Sequence, residues 1–341
     1  MRLRLGLAVT LLAISLIANA TQSSSPNELI IQKDKIYDPN TLSMDSVKEY
    51  EQKFDFNWHD HASIESNKKK IEEIELFLKS NPNYSEMSGD DQEALGIMAY
   101  KLGTYYTHIA RQPNMAIDKL NLADNLLPGK EDKAWINDQL AFAYEMKYSV
   151  SNEDVDKKQA EAYTEKVFSF YPKTKNKEIA FAYCVRGFLA DDSDDHEEAE
   201  ENFKQALAIY EKIPHGKDEQ YHRLQSRLAM SILAQDDNRD EEAFKMLTDV
   251  RKYWKAQGNE NQNPYAARNL FALAQAQLKM DKPNDARDTV NKVIALYQSM
   301  YGRDSEQLVQ PYQLLADTYK KMGNRELADS YQVKANELDN S

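Results

Sequence analysis

From Lys68 onward, apolar residues recur at the spacing of one helical face, in runs separated by breaks of three to ten polar residues. Before that point the pattern differs. Leu5 to Ile17 is one continuous apolar run, Thr21 to Pro26 is a short polar leader, and Asn27 to Ser66 shows weak periodicity with one helix expected near Met44 to Phe54. The pattern therefore predicts three parts: residues 1–20, a weakly structured segment over 21–65, and a helical region over 66–341.

Within the helical region a short motif repeats, Ala-x3-large apolar-x2-small-x4-Pro. Ala116, Leu120, Ala123 and Pro128 fit it fully, and Ala160, Thr164, Val167 and Pro172 keep its spacing with one polar substitution. Weaker copies stand at Ala199/Phe203/Ala206, Ala243/Leu247/Val250 and Ala286/Val290/Val293, and a last one at Ala328/Gln332/Ala335 keeps only the small residues. The lead alanines are 44, 39, 44, 43 and 42 residues apart.

Each lead alanine follows another helical run that carries a small residue. Gly187, Ala274 and Ala316 stand twelve positions before Ala199, Ala286 and Ala328, and Gly103 stands thirteen before Ala116. Large residues flank them at helical spacing, as in Tyr312…Leu315-Ala316…Tyr319. Small residues at a crossing let two helices approach and large ones fill the space beside it, so the pattern predicts helical hairpins. The second copy has Leu140-Ala141…Tyr144 but carries an insertion, Ser149 to Lys158, and in the fourth either Ala229 or Ser231 fits the crossing.

The stretch Tyr312 to Ala335, YQLLADTYKKMGNRELADSYQVKA, has the Leu-Ala…Tyr…Gly-Asn…Ala order of a tetratricopeptide repeat, and the chain resembles that family. The interval near 42 is similar to the longer variants, such as those of kinesin light chains, rather than to the 34-residue type. Six copies cover Leu95 to Leu338, and Lys70 to Pro82 looks like the second helix of a degenerate seventh. The resemblance implies an all-α fold, a right-handed solenoid of antiparallel helix pairs whose first helices line a concave groove.

Composition agrees with this. Ten Gly and ten Pro in 341 residues are too few for a turn-rich β fold or a Rossmann-like sheet, and 41% hydrophobic residues suit a thin, extended core better than one large one. Arg2 and Arg4, the run Leu5 to Ile17 and the ending Ala18-Asn19-Ala20 read as a secretory signal cleaved after Ala20. Its apolar core of ~13 residues is too short to span a bilayer, so no stable membrane insertion is expected after cleavage, and a secreted, bacterial periplasmic location is. Loss of the two arginines leaves 41 basic against 56 acidic residues. That balance disfavours nucleic acid and anionic lipid as partners.

Candidate chemistry is sparse. The clusters Asp191 to Glu198 and Asp236 to Glu242 lack the sixth-position Gly of an EF-hand, and both fall just before a second helix, where they are expected to cap it. Trp58-His59-Asp60-His61 holds the one close His pair, without a third ligand nearby. There is no Gly-x-Ser-x-Gly, no His-Glu-x-x-His and no Gly-rich phosphate loop, so no catalytic residue, cofactor or metal is assigned. Lys68-Lys69-Lys70 reads as a solvated helix start, and Cys184 as a small buried thiol.

What the repeat resemblance implies is a groove for an extended peptide or a partner helix. It places Phe181, Cys184 and Phe188 of the third copy, Arg268, Phe271 and Gln275 of the fifth, and Gln310, Gln313 and Asp317 of the sixth on that side; Trp135, Asp138 and Phe142 join them from the second. One half would be aromatic and the other polar, unless the aromatics pack between repeats. The expectation is a non-catalytic scaffold for a protein or peptide partner in a cell-envelope assembly. The alternative is a small-ligand or glycan-binding repeat protein.

Overall fold

In a computed structural model the described residues are 71–339, apart from 73, 80–82, 109, 172–175, 215, 259 and 262. The expected signal, the helix near 44–54, Trp58 to His61 and Lys68 to Lys70 lie outside them. The described chain is helical, without a strand, in two compact units that divide at Pro172 and Lys173.

In the first unit, residues 71, 72 and 74–79 are helical, as expected for the degenerate copy, and a 3-10 turn spans Tyr84–Glu86. Two antiparallel pairs follow: α1 (Gly89–His108) with α2 (Pro113–Leu126), and α3 (Lys130–Ser151) with α4 (Asp154–Phe170). The second unit holds four more: α5 (Lys177–Asp192) with α6 (His196–Tyr210), α7 (Glu219–Ala234) with α8 (Asp240–Ala256), α9 (Pro264–Lys279) with α10 (Pro283–Tyr301), and α11 (Val309–Lys321) with α12 (Arg325–Asp339). Within each unit every helix packs on the next in sequence, which is the stacking of a helical-repeat solenoid.

The repeated motif is the core. In the first five copies all fifteen of its apolar or small positions, from Ala116, Leu120 and Ala123 to Ala286, Val290 and Val293, have no solvent exposure. The crossings are as tight as the small residues imply. A Cβ built on Gly103 would stand 2.6 Å from Cγ of Leu120, and one on Gly187 would meet the Phe203 ring. In the fourth copy both Ala229 and Ser231 are buried.

Three of the four first helices of the second unit begin on side-chain caps. Asn176 accepts from the Glu178 amide, Asp218 from those of Gln220 and Tyr221, and Asn263 from those of Tyr265 and Ala266, ahead of Pro264. The turns inside the pairs close differently: each contains a residue of positive φ, namely Arg111, Asn152, Asp194, Asp236 with Asn238, Asp281 and Gly323. Asp and Asn tolerate this left-handed region better than other chiral residues and close four of the six turns, while Arg111 closes one and Gly323 another. This corrects the reading of the second acidic cluster. Asp195 does cap α6 through the Glu198 amide, but α8 starts at Arg239 with no side-chain cap, and Asp236 and Asn238 shape the turn instead.

The expected insertion at Ser149 to Lys158 is not a loop. Its residues lengthen α3 to 22 residues and start α4 after only Asn152 and Glu153. Buried Asp156 fixes this tip, accepting from Lys147 at 2.8 Å and from Ser151 at 3.1 Å.

Candidate functional site

Aligning the second unit on its crossing residues, Gly187, Ser231, Ala274 and Ala316, sets the first helices in register. Three rows result: Phe181, Gln225, Arg268 and Gln310; Cys184, Leu228, Phe271 and Gln313; Phe188, Ile232, Gln275 and Asp317. Their burial differs by row. All four side chains of the first row are half-buried, so each presents one side to solvent. In the middle row Cys184, Leu228 and Phe271 are buried and Gln313 is half-buried. In the third, Phe188 and Gln275 are half-buried, Ile232 is buried and Asp317 is exposed.

Phe188 is held from two sides, by the Phe203 ring at 5.5 Å between centroids and by the Arg227 guanidinium at 5.1 Å. In the first unit Trp135 is 42% exposed, Asp138 is buried, and Phe142 lies half-buried against the His108 ring and under Arg111. The expected groove residues therefore divide. Phe181, Arg268, Gln275, Gln313, Asp317, Trp135, Phe142 and Phe188 offer surface, while Cys184, Phe271 and Asp138 sit inside the packing. Sequence reasoning passed over Gln225, because the fourth copy had two possible registers. Taking Ser231 as its crossing residue would have found it.

The acidic character of this unit is spent on contacts between pairs. Glu200, buried on α6, accepts from Arg239 through two bonds of 2.7 Å and from Gln235 at 2.6 Å, and also holds Lys204. Arg239 first of all, with Gln235 and Lys204, lowers the Glu200 carboxyl to about 2 against the desolvation that would raise it. Asp191 accepts from Ser231 at 2.8 Å and lies 3.2 Å from Nδ1 of His196. That hydrogen bond holds the imidazole above its ordinary value despite partial burial. Asn269, fully buried, donates to Ser226 and to the Leu247 carbonyl, both at 3.2 Å. Many of these contacts join residues one repeat apart: Asp191 to Ser231 spans 40 positions, Glu200 to Arg239 spans 39, and Ser226 to Asn269 spans 43.

Among the described residues no group of three His, Cys, Asp or Glu could hold a metal ion, and no helix is long and apolar enough to cross a membrane. A depression of about 340 Å3 between α5 and α6 is lined by Tyr183, Arg186, Glu198, Glu201, Asn202 and Gln205.

The tetratricopeptide repeat family model matches residues 182–213 and 309–341, which are most of α5 with α6, and α11 with α12. Two solved structures share the fold. The apo form of RapI is 15% identical at a TM-score of 0.57, over 81% of this chain and 94% of that one. Aspartyl phosphate phosphatase F from Bacillus subtilis is 15% identical at 0.53, over 92% and 86%. No curated protein sequence matches this chain.

Proposed function

We propose that this chain, which carries tetratricopeptide repeats at residues 182–213 and 309–341, is an exported, non-catalytic scaffold that docks an extended segment or a helix of a partner protein. One observation carries this reading. The back of each first helix is sealed in the core, while the row Phe181, Gln225, Arg268 and Gln310 presents one partly open side chain from each of four successive pairs. Regular spacing of this kind suits a ligand that is itself periodic, such as a peptide backbone.

The depression between α5 and α6 does not favour a small ligand, because five of its six lining residues are polar and small-molecule sites are predominantly apolar. Export, and an assembly in the cell envelope, rest on the leader sequence read above.

Affinity capture from an envelope fraction tests the reading, comparing wild type with Phe181→Ala/Gln225→Ala/Arg268→Ala. Helical content and thermal midpoint serve as the control for folding. A partner recovered by the wild type and depleted at least fivefold with the folded variant supports the docking face. Equal recovery rejects it.

A further inference from the structure

The half-buried arginines of the second unit are not alike. Arg239, Arg251 and Arg287 each hold a carboxylate, from Glu200 and Asp237, from Glu260 and from Asp288. Arg223 and Arg268 have no carboxylate within 4 Å among the described residues, although the chain carries 56 acidic residues against 43 basic ones.

These two arginines belong to one cluster. The Arg223 guanidinium on α7 lies over the Tyr265 ring of α9 at 3.4 Å from its centroid. Tyr265 and Arg268 are three residues apart on α9, so they share a helical face. Tyr301, at the end of α10, completes the group. Burial comes first in pushing its hydroxyl up to about 12; Tyr297 adds to the rise, the Arg268 charge opposes it, and Tyr265 adds a little more. All four side chains are half-buried, and Arg268 stands in the open row of the docking face.

A guanidinium partly removed from water without a counter-charge is unfavourable, and its planar fork of donors fits the two oxygens of a carboxylate. Stacking on Tyr265 holds one such fork in place with its edge free to donate. We propose that Arg223 and Arg268, framed by Tyr265 and Tyr301, form a subsite for a carboxylate side chain, so that the partner segment is an acidic peptide carrying Asp or Glu at this point. The assignment rests on the docking face proposed above and gives its partner a chemistry. Charge complementarity selects the occupant: a basic segment would face two unpaired cations here.

The test pans a phage library of random dodecapeptides on the full chain and, in parallel, on Arg223→Gln/Arg268→Gln. Arg303→Gln/Arg325→Gln, at two exposed arginines, is the control. The wild-type pool is expected to be enriched in Asp or Glu at a fixed position. A selected peptide should bind the folded double variant about tenfold to a hundredfold more weakly, the range for losing one charge-assisted hydrogen bond, and the control variant as well as wild type. A pool without acidic enrichment, or equal affinity for the double variant, overturns the carboxylate subsite and leaves peptide docking standing. An empty pool overturns both.

Discussion

Placing a single methyl group on Gly187 tests whether close helix crossing organises each repeat. A Cβ there would stand 2.8 Å from Cζ of Phe203 and closer still to its Cε1 and Cδ1. The ring has no open direction in which to move, because it has no solvent exposure and Phe188 covers it at 5.5 Å. Two effects oppose each other in Gly187→Ala. Helix propensity alone favours Ala over Gly by about 1 kcal/mol. Overpacking of a sealed core is unfavourable by about 1–3 kcal/mol, so the net change is a loss of up to about 2 kcal/mol.

Shortening the obstacle should reverse the sign of the interaction. Phe203→Leu removes the outer ring carbons and by itself costs about 1–2 kcal/mol as a cavity. If the clash is real, adding it to Gly187→Ala recovers at least about 1 kcal/mol relative to the sum of the single changes. Repeat arrays need not unfold in one step, so the probe should be local. Trp254, 1% exposed on α8, reports on the second unit once Trp58 and Trp135 are replaced by Phe. Urea titrations followed by its emission give the three free energies. A more stable Gly187→Ala, or strictly additive changes, would refute the close-crossing argument.

Four further outcomes follow from the geometry. Glu200 titrates near 2 in the fold and near 4.5 when unfolded, so its contribution is present above about pH 4.5 and lost as pH falls towards 2. On the order of 2 kcal/mol should vanish over that window, and Glu200→Gln should flatten this part of an acid titration followed by circular dichroism. His196 has the opposite sign: its raised value gives stability that is complete below about pH 6.5 and lost as pH rises through the folded value, a dependence that Asp191→Asn should abolish in the same measurement. Asp194→Gly, which relieves a left-handed residue at φ 60° in an exposed turn, should raise the thermal midpoint, with a gain of about 0.5–1 kcal/mol; a lower midpoint would show that the Asp side chain matters more than the backbone. Cys184, 6% exposed, should react with a thiol reagent only at the rate of unfolding, and fast labelling of the native protein would contradict its burial.

The core was legible because it depends on spacing alone. Ala199, Phe203 and Ala206 recur along one helical face whatever surrounds them, and each proves fully buried. Polar positions answer to neighbours far away in sequence. Ser231 looks like a weak crossing residue until its hydroxyl is seen to donate to Asp191, 40 positions earlier. Phe271 fits the periodic pattern of a groove residue, yet the packing of α9 against its neighbours buries it to 6%. Periodicity assigns a side chain to a face, but not the depth to which adjoining pairs cover it. The second acidic cluster misled in a similar way: Asp236 and Asn238 hold positive φ and do not cap α8, a backbone requirement that composition signals only as a shortage of glycine.

The bonds that join successive pairs also set a ruler for any bound segment. Neighbouring first helices α7 and α9, and α9 and α11, are in contact, which places their axes about 8–10 Å apart. An extended peptide advances about 3.3 Å per residue, so each repeat is read by roughly every third residue. Arg268 lies two repeats from Phe181 along the open row; with the same step taken from α5 to α7 that is about 16–20 Å, which an extended chain covers in five to six residues. A peptide that engages both should carry its acidic residue five to six positions from an apolar one. Shortening that spacer to three residues should lower affinity to that of the stronger half alone, because one chain can no longer reach both points. Unchanged binding by the shortened peptide in a fluorescence titration would show that the segment does not lie along the row in an extended form.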